Sequence, residues 1–414
     1  MEFLNNPQIL LDRCALVQRF VDYARMDTKS DEDAKTFPST PGQRLLAERA
    51  AQDLRNAGVR DVKVDSNGYL VASIPSNVSS SLTVALIAHM DTSPAAPGAN
   101  VHPVLHKNYD GNDIVLKDGV VIEADEILKQ FRGDTVITSD GTTLLGADDK
   151  AGMAVIVSAA EYWMKNPDVP HPAIRICFTP DEEVGRGTEK FPYMDVGADF
   201  AYTLDGSFVG EINIETFEAY SATIRFEGVS THPGRAEGKL VNALKYMADV
   251  ICLLPRECAP ETTRDRQGFI HPVSVDGDSS ECTLHLILRD FEKDKALALK
   301  SLLESIVADV AAKDARLRTR VTVKHTYPNM HPYFKDREDI WRKLEEAVRL
   351  AGITPVLVPI RGGTDGALLT KNGLLCPNIF AGGMNFHDKR EWVSDRAMGL
   401  SLCTVLNLMV LLAT

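Results

Sequence analysis

The chain predicts an α/β fold: a mixed, mostly parallel sheet with helices on both faces, interrupted by an inserted α+β lid domain. Three observations carry that expectation. Short apolar runs at residues 82–88, 173–178 and 200–204 each stop at chemically active side chains: His89-Met90-Asp91, Asp181-Glu182-Glu183 and Asp205. Residues 143–152, TLLGADDKAG, lead straight into an apolar, helix-forming segment at 153–163. From residue 219 the pattern changes to β-α-β-β-α-β, the split order of ferredoxin-like domains. At 414 residues the chain exceeds what one core usually supports, so two domains are expected. The first comprises residues 1–214 and 328–414, and the second is the insertion at 215–327.

Taken in order, residues 9–24 read as an amphipathic helix, followed by a polar surface loop at 29–36. A helix at 43–57 has Gly58 as its C-cap. Strands at 62–65 and 69–74 flank Asn67-Gly68, a strong hairpin signal. The run at 82–88 is then a buried central strand. Residues 94–133 are long and irregular, and His102 and His106 within them read as loop or surface histidines. A short strand at 134–138 precedes the Asp148 turn, and the next helix starts near Lys150. In the insertion, strands at 219–227, 269–275, 281–289 and 318–325 alternate with helices at 239–253 and 293–312. The α/β pattern resumes with a helix at 339–351 and a strand at 355–360. The closing run at 400–413 is short for a membrane span, contains Asn407 and reads as a core helix.

Composition narrows the class. A formal charge of −13 disfavours nonspecific nucleic-acid binding and suits a soluble enzyme. The seven cysteines are odd in number and lack C-x-x-C spacing, so they read as reduced thiols of a cytoplasmic protein. The N-terminus has no basic n-region followed by a long apolar core, so no signal peptide and no membrane partner are expected.

Parallel strands share one carboxyl edge, where α/β sheets bind ligands. Gathering Asp148, Glu182, Glu183 and Asp205 there would force like charges together and drive proton uptake. Two divalent cations remove that conflict. Each piece has a plainer reading by itself. Asp148 could simply cap its helix. Asp91, two residues from His89 and on the same side of an extended chain, could make a local hydrogen bond or orient a metal-binding imidazole. Glu182 and Glu183 point to opposite sides of an extended segment, so one can bind metal while the other moves a proton. Arg361, beside Gly362-Gly363, could pair with Asp365 or grip a carboxylate through two parallel hydrogen bonds. His232, before Pro233, could pack on its turn or donate to an oxyanion.

Together, AHMDTSP, TLLGADDKAG, FTPDEEVG, AYTLDG, THPG, IRGGTDGA and CPNIFAGGMNFHDKREWV resemble the di-zinc aminopeptidase/carboxypeptidase family, and within it the tripeptide aminopeptidases. The resemblance runs from the N-terminal helices to the last helix. It implies a zinc-exopeptidase fold and two Zn2+ ions per subunit. His89 and Asp205 would hold one ion, Glu183 and His387 the other, and Asp148 would bridge them. Asp91 would orient His89, Glu182 would be the general base, and Arg361 would hold the substrate's carboxylate. His232 would match the family's lid histidine, which dimeric relatives take from the partner subunit, so a homodimer through the lid stands beside a monomer. The implied reaction is release of the N-terminal residue from tripeptides. Dipeptidase, carboxypeptidase and N-acyl-amino-acid amidohydrolase activities compete with it, and a non-catalytic zinc protein is a remote alternative. One departure is visible: Gly206-Ser207-Phe208 follows Asp205 where a more glycine-rich stretch is expected.

Overall fold

The computed structural model describes residues 4–414. They form two compact units. The first comprises the chain up to Ile214 with Tyr333–Val358 and Thr364–Thr414; the second comprises Glu215–Pro332 and Pro359–Gly363. The second unit thus runs past residue 327 and takes in the segment that carries Arg361.

The first unit is built on a mixed sheet of eight strands. Across the sheet they run Asp61–Val64, Leu70–Ile74, Ala173–Thr179, Thr83–His89, Phe200–Gly206, Asn378–Phe380, Glu211–Asn213 and Val356–Leu357. The four central strands are parallel, and Leu70–Ile74 and Glu211–Asn213 flank them antiparallel. Register decides what meets at the edge. His89 lies opposite Thr179, and Ile87 opposite Thr203, so two residues further along His89 draws level with Asp205.

Both faces of this sheet are covered. Ala85, Ile87 and Ala201 join a core cluster with Tyr69, Leu369 and Leu374. The alternate residues Val84, Leu86 and Ala88 are equally buried and point the other way. On the strands Thr83–His89 and Phe200–Gly206 lies the helix Ala147–Lys165. A Cβ on Gly152 would stand 2.3 Å from the Leu204 carbonyl oxygen, so this close approach of helix to strand requires glycine. The helix Asp395–Ala413 is long and apolar enough to cross a membrane by length and composition, yet it is largely buried in the protein, as a core helix would be.

A second, four-stranded sheet sets the last part of the site. Gly383–Met384 and Trp392–Ser394 pair with each other, and the latter pairs with Val136–Thr138. The turn between the first two carries His387. His106 lies in the partner strand Val104–His106, where its Nε2 is 3.0 Å from the Thr138 hydroxyl, a structural contact.

In the second unit, strands Glu218–Glu227, Phe269–Gly277, Glu281–Asp290 and Arg318–Tyr327 form one antiparallel sheet. Its order, second-third-first-fourth, is the ferredoxin-like arrangement. Alternate residues Leu284, Leu286 and Leu288 turn inward against Met247 and Val250 of one helix and Leu303 and Val307 of the other. Some expected elements are shorter. The first helix is two, Pro7–Arg13 and Leu16–Ala24, because Cys14 is extended. The helix expected from 239 begins at Ala243, where Asn242 caps it.

Candidate metal centre

His89, Asp205 and Glu183 stand at or just beyond the ends of parallel strands, Asp148 at the start of the helix Ala147–Lys165, and His387 in the turn after Gly383–Met384. His89 closes its strand, and Asp91 follows in the next turn. The Asp91 carboxylate does more than the sequence suggested. Its Oδ1 accepts Glu182 N–H at 2.9 Å and its Oδ2 accepts Glu183 N–H at 3.0 Å. It therefore clamps the turn that carries both glutamates. Its backbone oxygen lies 3.1 Å from His89 Nδ1 and its Oδ1 3.5 Å away, so the carbonyl is the nearer partner of that ring nitrogen. From the other side Asp181, with φ of 57°, anchors the same turn. It accepts the backbone N–H and hydroxyl of Ser39 and the Gln43 amide.

Asp148 lies between two imidazoles. Its Oδ1 is 2.8 Å from His89 Nε2 and its Oδ2 is 3.1 Å from His387 Nε2. Asp205 Oδ1 stands 3.6 Å from the same His89 nitrogen, and Glu183 Oε2 stands 2.9 Å from the His387 nitrogen. The donors thus fall into two lobes sharing one carboxylate: His89, Asp205 and Asp148, and His387, Glu183 and Asp148. A tetrahedral ion with bonds of about 2.0–2.2 Å separates its ligand atoms by about 3.3–3.6 Å. The donor atoms need only small outward shifts to admit one ion per lobe. Glu183 Oε1 supports the fit, being buried without a hydrogen-bond partner among the described residues. Two imidazoles and three carboxylates suit a borderline divalent cation.

Asp149 is also near enough to His89 and Asp205 to be grouped with them. Its oxygens, however, accept His89 N–H at 3.3 Å and Gly152 N–H at 3.2 Å. It ties backbone, whereas the oxygens of Asp148 face imidazoles.

Without cations the cluster takes up protons. Burial, then the Asp148 charge, raises Glu183 to about 7. Burial also raises Asp205. Hydrogen bonds to the Asp148 and Glu183 carboxylates lift His387 to about 10. Burial works against a charged His89, but bonds to Asp148, Asp205 and Asp91 carry its pKa well above the usual value. For Asp148 the two imidazoles outweigh burial and hold the carboxyl low. Glu182 is raised well above its ordinary range, first by burial and then, against His89, by Asp205, Asp365 and Glu183. Its carboxylate accepts no hydrogen bond from the described residues.

Sequence reasoning missed several supports. Thr364 donates its hydroxyl to Asp205 Oδ2 at 3.2 Å while accepting Gly366 N–H and the Asn378 amide. Glu391, buried, accepts three backbone N–H groups of the turn before Asp148. The only signal for Glu391 was its place four residues after His387.

His232 and Arg361 belong to the second unit. His232 is exposed, and its Nδ1 accepts Gly234 N–H at 3.1 Å. That bond leaves Nε2 as the ring's donor. Arg361 lies over the Phe217 and Phe269 rings. It donates to the carbonyls of Asp265 and Gln267 and to the Thr263 hydroxyl, and makes no ion pair among the described residues.

A sheet edge, a helix start and a turn of a second sheet that bring two imidazoles and three carboxylates around one shared acid, beside a glutamate with no hydrogen bond among the described residues, define a metallopeptidase built for two metal ions. The chain belongs to peptidase family M20/M25/M40, whose model matches residues 118–409. It is 42% identical to a Peptidase T of Geobacillus sp. (strain WCH70) and 42% identical to one of Bacillus subtilis (strain 168). Each match spans 92% of this chain and 94% of the relative. Among solved structures, aminopeptidase PepT from Bacillus cereus shares the fold with a TM-score of 0.74 at 22% identity, covering 99% of both chains. The Bacillus subtilis YXEP protein, described as a dinuclear metal-binding peptidase, shares it at 0.67 and 13% identity over 98% of this chain and 99% of that one.

Proposed function

We infer that the protein is a zinc-dependent aminopeptidase that releases the N-terminal residue from tripeptides. The observation that carries this is Asp148, whose two oxygens face His89 and His387 separately, beside a Glu182 carboxylate that accepts no hydrogen bond from the described residues. The substrate class rests on the Peptidase T relatives. Imidazole and carboxylate oxygen are both ordinary zinc donors, which supports zinc as the metal.

His89, Asp205 and Asp148 would hold one ion, and His387, Glu183 and Asp148 the other. When bound, the ions acidify water and polarise the scissile carbonyl. Glu182 takes the proton of the attacking water and passes it to the leaving amine. Its backbone is fixed by Asp91, so the carboxylate swings without losing its anchor. Asp91 also holds His89 through Nδ1, which aims Nε2 at the acids. His232, with Nδ1 already accepting a bond, offers its Nε2–H to the developing oxyanion. Arg361 has three of its five N–H donors engaged. Those that remain, Nε–H and one on Nη2, form the side-on pair that grips a peptide's terminal carboxylate. Such a grip would measure peptide length.

A homodimer and a cytoplasmic location complete the proposal. The second unit's edge strand, Phe269–Gly277, exposes Val273 and Val275, and all seven cysteines are free thiols. Light scattering on the purified protein decides the first.

The test is a product assay. Zinc-loaded protein is incubated with a tripeptide, with each of its dipeptide fragments and with an N-acyl amino acid, and the products are weighed. The expected result is a free N-terminal residue plus a dipeptide, with little action on the other substrates. Release of the C-terminal residue, or preferred cleavage of the acyl amino acid, would replace tripeptide aminopeptidase by the corresponding activity.

A further inference from the structure

The segment that delivers Asp148 is irregular. Gly146 is left-handed, with φ of 82°, and Asp148 and Asp149 are non-helical, so the regular helix starts only at Lys150, where Asp149 caps it by accepting Gly152 N–H. The backbone N–H groups ahead of that helix need acceptors from elsewhere. Glu391 supplies them from the far end of the chain. Oε2 accepts Leu145 N–H and Gly146 N–H, each at 2.7 Å, and Oε1 accepts Asp148 N–H at 3.0 Å. The carboxylate is 1% exposed. A buried charge persists only when compensated. Three N–H groups and the buried ammonium of Lys150 offset part of the cost of burial. Lys150 is itself held by the Met26 carbonyl at 2.7 Å.

Glu391 also belongs to the turn that carries His387. One side chain therefore spans two of the donors that share a lobe. It bonds the backbone N–H of Asp148 directly, and it sits four residues from His387.

We propose that Glu391 is a positioning residue for the metal centre: it fixes Asp148 against His387 and thereby sets the affinity of the Glu183–His387–Asp148 lobe. The other lobe depends on it less. His89 and Asp205 are carried by adjacent parallel strands whose register does not involve Glu391. The inference rests on the two-ion reading above, and the experiment separates the two.

The experiment strips full-length wild type, Glu391→Gln and Glu391→Asp of metal by chelation and titrates each with zinc, alone, by calorimetry. Glutamine places an amide donor against backbone N–H groups, and aspartate keeps the charge but withdraws it by one methylene. In both variants one of the two zinc sites is expected to lose about 10- to 100-fold in affinity, the size typical for removing a partner that supports a metal ligand. The other site should move by less than about threefold. Activity lost at limiting zinc should return in excess zinc, which a purely structural defect would not allow. If glutamine prevents folding, the aspartate variant carries the same measurement. Two unchanged affinities, or an equal fall in both, would overturn the proposal while leaving the two-ion reading intact. Wild-type protein that binds fewer than two zinc ions would defeat that reading, and the inference with it.

Discussion

Glu182→Gln isolates proton transfer from everything else in the site. Glutamine has the same length and shape, and the backbone N–H of residue 182 stays bonded to Asp91 Oδ1 at 2.9 Å. The carboxylate accepts no hydrogen bond from the described residues, so none is broken. Like charges at Asp205, Asp365 and Glu183 oppose an ionised Glu182, and the substitution relieves them. Fold and metal content should therefore survive. The missing step is the proton carried from water to the leaving amine, which a positioned base accelerates about 10²- to 10⁴-fold. At about 1.36 kcal/mol per tenfold, the barrier rises by roughly 3–5 kcal/mol. Initial rates with a tripeptide, read beside metal content by mass spectrometry, give the answer. The fall should lie in kcat, with KM nearly unchanged, because Glu182 acts on water and the leaving group rather than on bound substrate. Turnover within about tenfold of wild type would refute the assignment of the base. Loss of metal together with activity would instead mark Glu182 as a ligand.

Gly152→Ala should cost about 1–3 kcal/mol of stability, because the new Cβ would stand 2.3 Å from the Leu204 oxygen; a melting temperature equal to wild type would contradict the helix–strand approach. Metal uptake should strengthen with pH and release protons. His89 and His387 are raised in the metal-free chain, the latter to about 10, so at neutral pH both hold protons that a cation must displace. Calorimetry in buffers of different ionisation enthalpy measures that release, and an affinity flat between about pH 6 and 9 would oppose it. Thiol reagents on the native protein should modify Cys252 first, since it is exposed, and leave Cys177 and Cys376, whose thiols burial pushes well up. Peptide mapping after brief alkylation shows the order, and early labelling of Cys376 would contradict its burial.

Much of the fold was written locally. The run ending at His89 reads as a buried strand because all of it but Thr83 is apolar, and the structure buries Val84 through Ala88 completely. The change of pattern after 219 announced the ferredoxin-like unit because each of its strands and helices carries its own period. The reactive groups beyond the strands were legible for the same reason: an apolar run that stops at His89, near Glu182-Glu183 or at Asp205 marks where a strand stops.

Convergence was not local. No spacing distinguishes Asp148 from Asp149, its neighbour; only the folded chain turns the oxygens of one to two imidazoles and those of the other to backbone N–H groups. Glu391 drew no reading from the sequence, because its three bonds reach residues about 245 positions away. Arg361 left two readings open, a pair with Asp365 or a grip on a carboxylate, and the fold instead sets it against the carbonyls of Asp265 and Gln267 with no ion pair among the described residues. Sequence alone determined which segments become strands and helices and which reactive groups end them, since periodicity and capping act over a few residues. The tertiary structure decided which of those groups face one another, because that depends on strand register and on hydrogen bonds between residues hundreds of positions apart.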